Sequence, residues 1–246
     1  MTQFKLSVLD HGFVVLRNMA GPTRRAIHLE HEGSYGEPRP FDADDTDVAN
    51  SARMSFDQTD SERTYEIEMK LNRYLAVNKH MTPFESIEVW LEMKMPIFVA
   101  RQFVRHRTAV INEVSGRYVT LPADWYIPAT VGGKAADKKQ GQEDNLEQEV
   151  QTWFQKQLNW SCKEDYALYL EAIKRGVAPE HARMFLHVNH YTHWLWKQNL
   201  RNLFHFLALR DHGHSQIEAQ AYAKAIIQLL QPHIPGLMKL FNEVMR

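Results

Sequence analysis

Arg105, His106, Arg107, Asn112, Glu113, Ser115, Gly116 and Arg117 fall within one short stretch, RHRTAVINEVSGRY. An arginine fork matches phosphate oxygens and keeps its charge on burial, so Arg105, Arg107 and Arg117, with His106, point to a phosphate ligand. Two blander readings stand beside it: a surface helix end whose cations suit the macrodipole, and a basic patch on RNA with Trp90 or Tyr118 as stacking partners. Glu113 argues against a patch that merely tracks phosphates, because an acid there orders an arginine or accepts from a base N–H. Ser115-Gly116-Arg117 offers a hydroxyl, backbone N–H groups and a guanidinium, which makes an anion cradle or else an ordinary turn. Arg183 and Arg210 come from distant segments and, taken alone, read as solvated or salt-bridged.

The remaining reactive side chains point to less. His187, His190 and His193 recur every third residue, a spacing that puts them on no single strand face and lets them drift around a helix, so no metal is expected. His28 and His31 flank Glu30 without the HExxH spacing, and Asp211-His212-Gly213-His214 is a weak ligand pattern. Cys162 is the only cysteine, which excludes an internal disulfide. It follows a helical Trp160, has no basic neighbour in sequence, and reads as a core cysteine rather than a nucleophile.

The elements that must position these groups are legible in outline. FKLSVLDHGFVVLRNM reads as a hairpin around Asp10-His11-Gly12. A short helical start and a surface excursion follow, near residues 32–48. Residues 61–78 predict a helix with Ile67, Leu71, Tyr74 and Leu75 on one face. Thr82 as cap, Pro83 and Glu85 predict a short helix. Ile87, Val89, Leu91, Met93 and Met95 alternate as in a strand with one apolar face. Pro96 opens the helix PIFVARQFVRHR, with Ile97, Ala100 and Val104 toward the core and a basic last turn; the chain leaves it from Asn112, and RYVTL resumes extended structure. Residues 128–144 read as a long loop, with 131–145 as a second excursion. One long helix, or two, then runs to a stop at Gly176. Pro179 opens a helix carrying His181, Arg183 and Leu186, and YTHWLW alternates like a strand. Asn199 caps LRNLFHFLALR, with Leu200, Leu203, Phe204 and Leu207 buried and Arg201 and His205 on another face. Ser215 and Glu218 form a capping box for a helix through Leu230. The order supports an α+β fold with a mixed or antiparallel sheet, in one domain over 1–246. No Gly-rich turn follows a strand, which excludes Rossmann and P-loop nucleotide binding.

Lys and Arg number 29 against 30 Asp and Glu, so nothing global draws the chain to nucleic acid or an anionic membrane. The first residues lack the apolar run of a signal peptide, and charge breaks every apolar stretch, so no membrane span is expected. A cytoplasmic protein is the expectation.

The arginine-rich stretch is similar to the signature of flavin-dependent thymidylate synthases, R-H-R-x-x-S-x-N-E-x-S-x-R. Arg105, His106, Arg107, Asn112, Glu113, Ser115 and Arg117 match it, and Val110 replaces its serine, a change suited to a packed site. SARMSF (residues 51–56) resembles the family's ARVSF element, HMTPFE (80–85) its H-x-T-P-F-E block, and residues 182–210 the segment that completes its site. The resemblance runs from about Asp10 to Leu230.

That resemblance implies an α+β homotetramer with FAD at subunit junctions. It implies reductive methylation of dUMP to dTMP, with 5,10-methylenetetrahydrofolate giving the carbon, NADPH the reducing equivalents, and tetrahydrofolate released. Such enzymes need no uracil-activating cysteine. Carried over residue by residue, Arg210 is catalytic and meets the charge that develops on uracil. Gln102, Arg105, Glu113, Ser115, Gly116, Arg117, Arg183 and Arg210 bind dUMP, with Arg117 and Arg183 on the phosphate. FAD falls to Ser55, His80, Thr82, Glu85, Arg105, His106, Arg107, Glu113, Asn199, Arg201 and His205.

Overall fold

The computed structural model describes residues 4–22, 43–58, 63–135 and 142–246. Its elements, in chain order, are β1 (Lys5–Val8), β2 (Gly12–Ala20), α1 (Asp47–Arg53), α2 (Tyr65–Val77), β3 (Glu88–Pro96), α3 (Ile97–Phe103), β4 (Val110–Glu113), β5 (Gly132–Lys134), β6 (Gln142–Asn145), α4 (Gln148–Lys174), α5 (Pro179–Ala182), β7 (Tyr191–Asn199), α6 (Leu200–Arg210), α7 (Ile217–Leu230) and α8 (Pro235–Leu240). Tight 3-10 turns cover Met54–Phe56, Thr82–Ser86 and Arg183–Phe185. Five strands form one antiparallel sheet in the order β1-β2-β3-β7-β4. No described helix is long and apolar enough to cross a membrane.

Alternation explains the two central strands. Val89, Leu91, Met93 and Met95 of β3, with Trp194 and Trp196 of β7, are buried on one face. That face is covered by Phe103 of α3, Leu203, Phe206 and Leu207 of α6 and Tyr222 and Ile226 of α7, all in the same core. Phe206 meets Phe103 edge-on at 4.8 Å and Trp196 at 4.9 Å, the T-shaped geometry aromatic quadrupoles favour. The opposite face is polar: Glu92 pairs with both Arg17 and His193, and Lys197 with Glu88.

Several expected boundaries move. α3 stops at Phe103, and Val104 is exposed rather than core-facing. Helix gives way because Val110 to Glu113 pair with Lys197 to Trp194, which satisfies the backbone groups along the β7 edge. RYVTL is not extended: the N–H groups of Tyr118 and Val119 both reach the Ser115 carbonyl, at 3.0 and 3.2 Å. The expected apolar face of α2 is turned outward at Ile67 and Tyr74. Glu68 and Asn72 are buried instead, because Glu68 pairs with the buried Arg53 and Asn72 donates to the Asp45 carbonyl. Residues 43–48 do not lie on a surface excursion. The buried Asp45 carboxylate accepts from Tyr65 and from the Gly236 and Leu237 N–H groups, each at 2.8 Å. The earlier part of that excursion and the HLEH pattern lie outside the described residues. In the supposed loop, β5 pairs with β6, and 136–141 lie outside the described residues.

The capping expectations divide. Asn199 caps α6, its side chain accepting from the Asn202 N–H at 3.0 Å. Thr82 makes no capping bond and lies inside the 3-10 turn. Ser215 and Glu218 do not form a capping box: the Ser215 hydroxyl donates to the Leu209 carbonyl, and Glu218 accepts from Tyr126. α4 is one unbroken helix of 27 residues, about 40 Å long. Just past it, Gly176 takes φ = 83°, where a side chain would be strained. Pro179 opens only one helical turn, so Arg183 falls in the 3-10 turn beyond it.

Candidate active site

The expected residues gather in three groups. The first centres on Arg210, at the end of α6. Its Nε donates to His106 Nε2 at 3.3 Å and its Nη2 to the Gln102 carbonyl at 3.2 Å. Arg210 follows Leu203, Phe206 and Leu207 by seven, four and three residues, so it ends the buried face of α6, and the packing of that face aims it there. Burial pushes the His106 pKa down to about 4, with help from the Arg210 charge and from His205. The imidazole is therefore neutral near pH 7, and its Nε2 is free to accept. Burial lowers the Arg210 pKa as well, which marks a cation held partly out of water. The Gln102 amide bonds to Gln216 at the start of α7.

The second group lies where β7 runs into α6. Arg201 pairs with Glu85 of the Thr82–Ser86 turn, and Asn199 is the cap of the same helix. Thr82, His80 and Ser55 are exposed; His80 meets Tyr74 edge-on at 6.1 Å. His205 stands one helical turn after Arg201, and its ring is 6.3 Å from that of His106, which joins the first two groups. Arg105 and Arg107 are exposed on the turn between α3 and β4, with no partner among the described residues.

The third group is the Ser115-Gly116-Arg117 turn. The Ser115 Oγ accepts from the Arg117 N–H at 3.3 Å. A Cβ at Gly116 would stand 3.0 Å from Leu121 Cδ1, which would have to give way, and 3.5 Å from Arg183 Cδ, an ordinary contact, so Leu121 and the Arg183 stem both lie against this turn. Arg117 Nε bonds to Glu180 Oε2 at 3.1 Å, and Arg183 Nε to the Glu180 carbonyl at 3.4 Å. Two arginines 66 residues apart in sequence (183 − 117) therefore flank one turn.

The groups do not all meet in one chain. Val114 N–H bonds to His193 O, so the cradle sits by the first residues of β7, whereas Asn199 and Arg201 stand at its last. Thr192 and Asn199 are seven residues apart, roughly 23 Å of strand. Glu113 lies between and accepts from the Thr192 hydroxyl rather than from an arginine. Val110 is 55 % exposed, so its replacement of serine is not absorbed by packing within the chain.

Three partners carry no sequence signal used above: Glu180, Gln216 and Thr192. Only Glu180 could have been found, from its place three residues before Arg183 at a helix start. The histidines go separate ways: His187 pairs with Asp165, His193 with Glu92, and His190 is buried. Cys162 is buried; burial raises its pKa, and Asn189 donates to its sulfur at 3.4 Å. A cavity of about 570 Å³, lined by Arg17, Trp90, Glu92, Val114, His193 and Leu195 among others, opens beside the polar face of the sheet and reaches Val114, the residue before the Ser115 turn.

Residues 40–236 match the family model described as Thymidylate synthase complementing protein, Thy1. A relative from Treponema denticola named flavin-dependent thymidylate synthase is 39 % identical over 238 residues, covering 94 % of this chain and 79 % of its own. One of the same name from Gluconobacter oxydans is 35 % identical over 241 residues, covering 96 % and 72 %. The fold is similar to that of the UMP/dUMP methylase PolB from Streptomyces cacaoi, solved with 5-Br dUMP. There the TM-score is 0.78 at 24 % identity, over 96 % of this chain and 97 % of that one.

Proposed function

The chain belongs to the Thy1 family of flavin-dependent thymidylate synthases, and from that premise we propose that it methylates dUMP to dTMP as one domain. 5,10-Methylenetetrahydrofolate gives the carbon and leaves as tetrahydrofolate. The observation that carries this reading is the Arg210–His106–Gln102 constellation: a half-buried cation held by a neutral imidazole and a carbonyl.

Uracil C5 must become nucleophilic to take the methylene, and negative charge builds up across N3 and the ring oxygens as it does so. Arg210 uses two N–H groups on His106 and Gln102, and its remaining N–H groups face that charge without reorganising. The Gln102 amide, steadied by Gln216, orients the base, with Arg105 and Glu113 beside it. Arg117, Arg183 and the Ser115-Gly116 backbone take the phosphate.

FAD fits the second group. Arg105 and Arg107, exposed and without partners among the described residues, suit its pyrophosphate. Ser55, His80, Thr82, Glu85, His106, Glu113, Asn199, Arg201 and His205 complete the set. When bound, FAD supplies the hydride that reduces the transferred methylene, with NADPH as the source of reducing equivalents.

The site is shared between subunits of a homotetramer. The distance along β7 between the cradle and the Asn199–Arg201 group supports this. So do the exposed Met54 and Phe56 flanking Ser55, and Trp153 and Trp160 along α4, which are apolar surfaces suited to a partner chain. Its setting is the cytoplasm. Light scattering, an absorption spectrum and dTMP formation test the whole reading. A colourless monomer that ignores added FAD and forms no dTMP would overturn it.

A further inference from the structure

The phosphate cradle contains an acid that the proposed reaction leaves unused. Glu180, on α5, sets its carboxylate 3.1 Å from Arg117 Nε and its backbone carbonyl 3.4 Å from Arg183 Nε. A carboxylate on Arg117, in a residue whose backbone also holds Arg183, competes with any phosphate that Arg117 binds. Resting on the phosphate reading above, we propose that Glu180 is a specificity-determining residue that limits this cradle to phosphomonoesters and turns away nucleoside di- and triphosphates.

The geometry gives it that position. Glu180 engages only the Nε of each guanidinium, so the terminal nitrogens of Arg117 and Arg183 have no partner among the described residues. The first phosphate therefore keeps a full set of charged donors. The back of the cradle is closed by Leu121 and the Arg183 stem, both against Gly116. The Glu180 carboxylate on Arg117 is itself half-exposed, so it presents its charge to a group that extends from the phosphate toward solvent.

Charge balance points the same way. Two arginines and one carboxylate leave a single net positive charge beside the backbone donors. A monoester dianion is met by that set. A second phosphate adds negative charge next to a carboxylate. One unit charge at roughly 6–7 Å shifts an affinity by about threefold at the dielectric of water and by on the order of a hundredfold at the lower value near a protein surface.

The experiment is calorimetric titration of the flavin-loaded enzyme with dUMP, dUDP and deoxyuridine, on wild type, Glu180→Gln, Glu180→Ala and Arg117→Ala. Wild type should bind dUMP well above dUDP. Both Glu180 variants should keep or tighten dUMP and tighten dUDP more, by about threefold to a hundredfold, so that the ratio narrows. If Glu180 only props Arg117, both nucleotides weaken together and the ratio stands, which overturns the proposal. Equal affinity of wild type for the two nucleotides overturns it as well. Arg117→Ala reports separately on the phosphate reading: dUMP binding unchanged there means that the cradle holds no phosphate, and Glu180 loses its role with it.

Discussion

Replacing Arg210 by alanine removes one guanidinium and two hydrogen bonds, to His106 and to the Gln102 carbonyl. Those two bonds are worth roughly 1–3 kcal/mol of folding stability together, so the variant should stay folded. The larger loss is in turnover. Burial lowers the Arg210 pKa, so the charge sits where screening by water is weak. Its contact with uracil strengthens as charge develops, which places its effect in the rate rather than in binding. Loss of one such donor costs on the order of a hundred- to a thousandfold, about 2.7–4 kcal/mol. Arg210→Ala should therefore bind FAD, accept reducing equivalents from NADPH and hold dUMP, yet form little dTMP. Arg210→Lys should recover part of the rate: the charge returns, but a single ammonium cannot reach His106, Gln102 and the base together. The assay is single-turnover oxidation of reduced enzyme with dUMP and methylenetetrahydrofolate at saturation. A wild-type rate for the alanine variant in that assay removes Arg210 from the mechanism.

Arg117→Ala should weaken dUMP binding by about one to two powers of ten, the worth of a lost charged hydrogen bond, while flavin reduction by NADPH survives; stopped-flow absorbance and dUMP titration separate the two. Cys162→Ser should keep dTMP formation, because the thiol is buried against Asn189 with its pKa raised; loss of turnover in a folded, flavin-bound variant would refute this. His106 gives a pH signature: its pKa is about 4 folded against an ordinary 6.5, so the unfolded chain takes up the proton first. Its contribution is fully present above about pH 6.5 and is lost as pH falls toward 4, by on the order of 1–2 kcal/mol after solvent screening of a half-buried ring. His106→Asn should flatten the pH dependence of the melting temperature over that window, and an unchanged profile counts against a buried neutral imidazole. Phe206→Ala should cost about 3–5 kcal/mol, because the ring fills the space between Phe103 and Trp196; denaturant titration measures it.

The elements read best from sequence are those whose burial pattern is local. β3 alternates without a break, and α6 carries both its cap and its apolar stripe in its own residues. β4 has no such signature. Its four residues become a strand only because β7, some eighty positions later, offers an edge. The buried face of α2 departs from its apolar period for the same reason. Glu68 and Asn72 are buried by Arg53 and Asp45, and no helical period encodes a partner from another segment. At the site, residue type revealed the cradle and the basic turn. The convergence of Arg183 on Gly116 and of Arg210 on His106 depends on tertiary packing. Gln216 and Thr192 act through single hydrogen bonds, which leave no trace in spacing.

The length of β7 has a genetic consequence. Arg117 stands by one end of that strand and Arg201 by the other, and the proposed tetramer draws them from different chains into one site. Two inactive alleles, Arg117→Ala and Arg201→Ala, are then not equivalent to one allele carrying both changes. Co-expressed, they assemble at random, and a site that takes each arginine from a separate chain is intact in about a quarter of cases. Thymidine-requiring cells carrying both single alleles should grow without supplement, and cells carrying either allele alone, or the double mutant, should not. The strand thereby spaces one chain's lesions far enough apart for another chain to cover them.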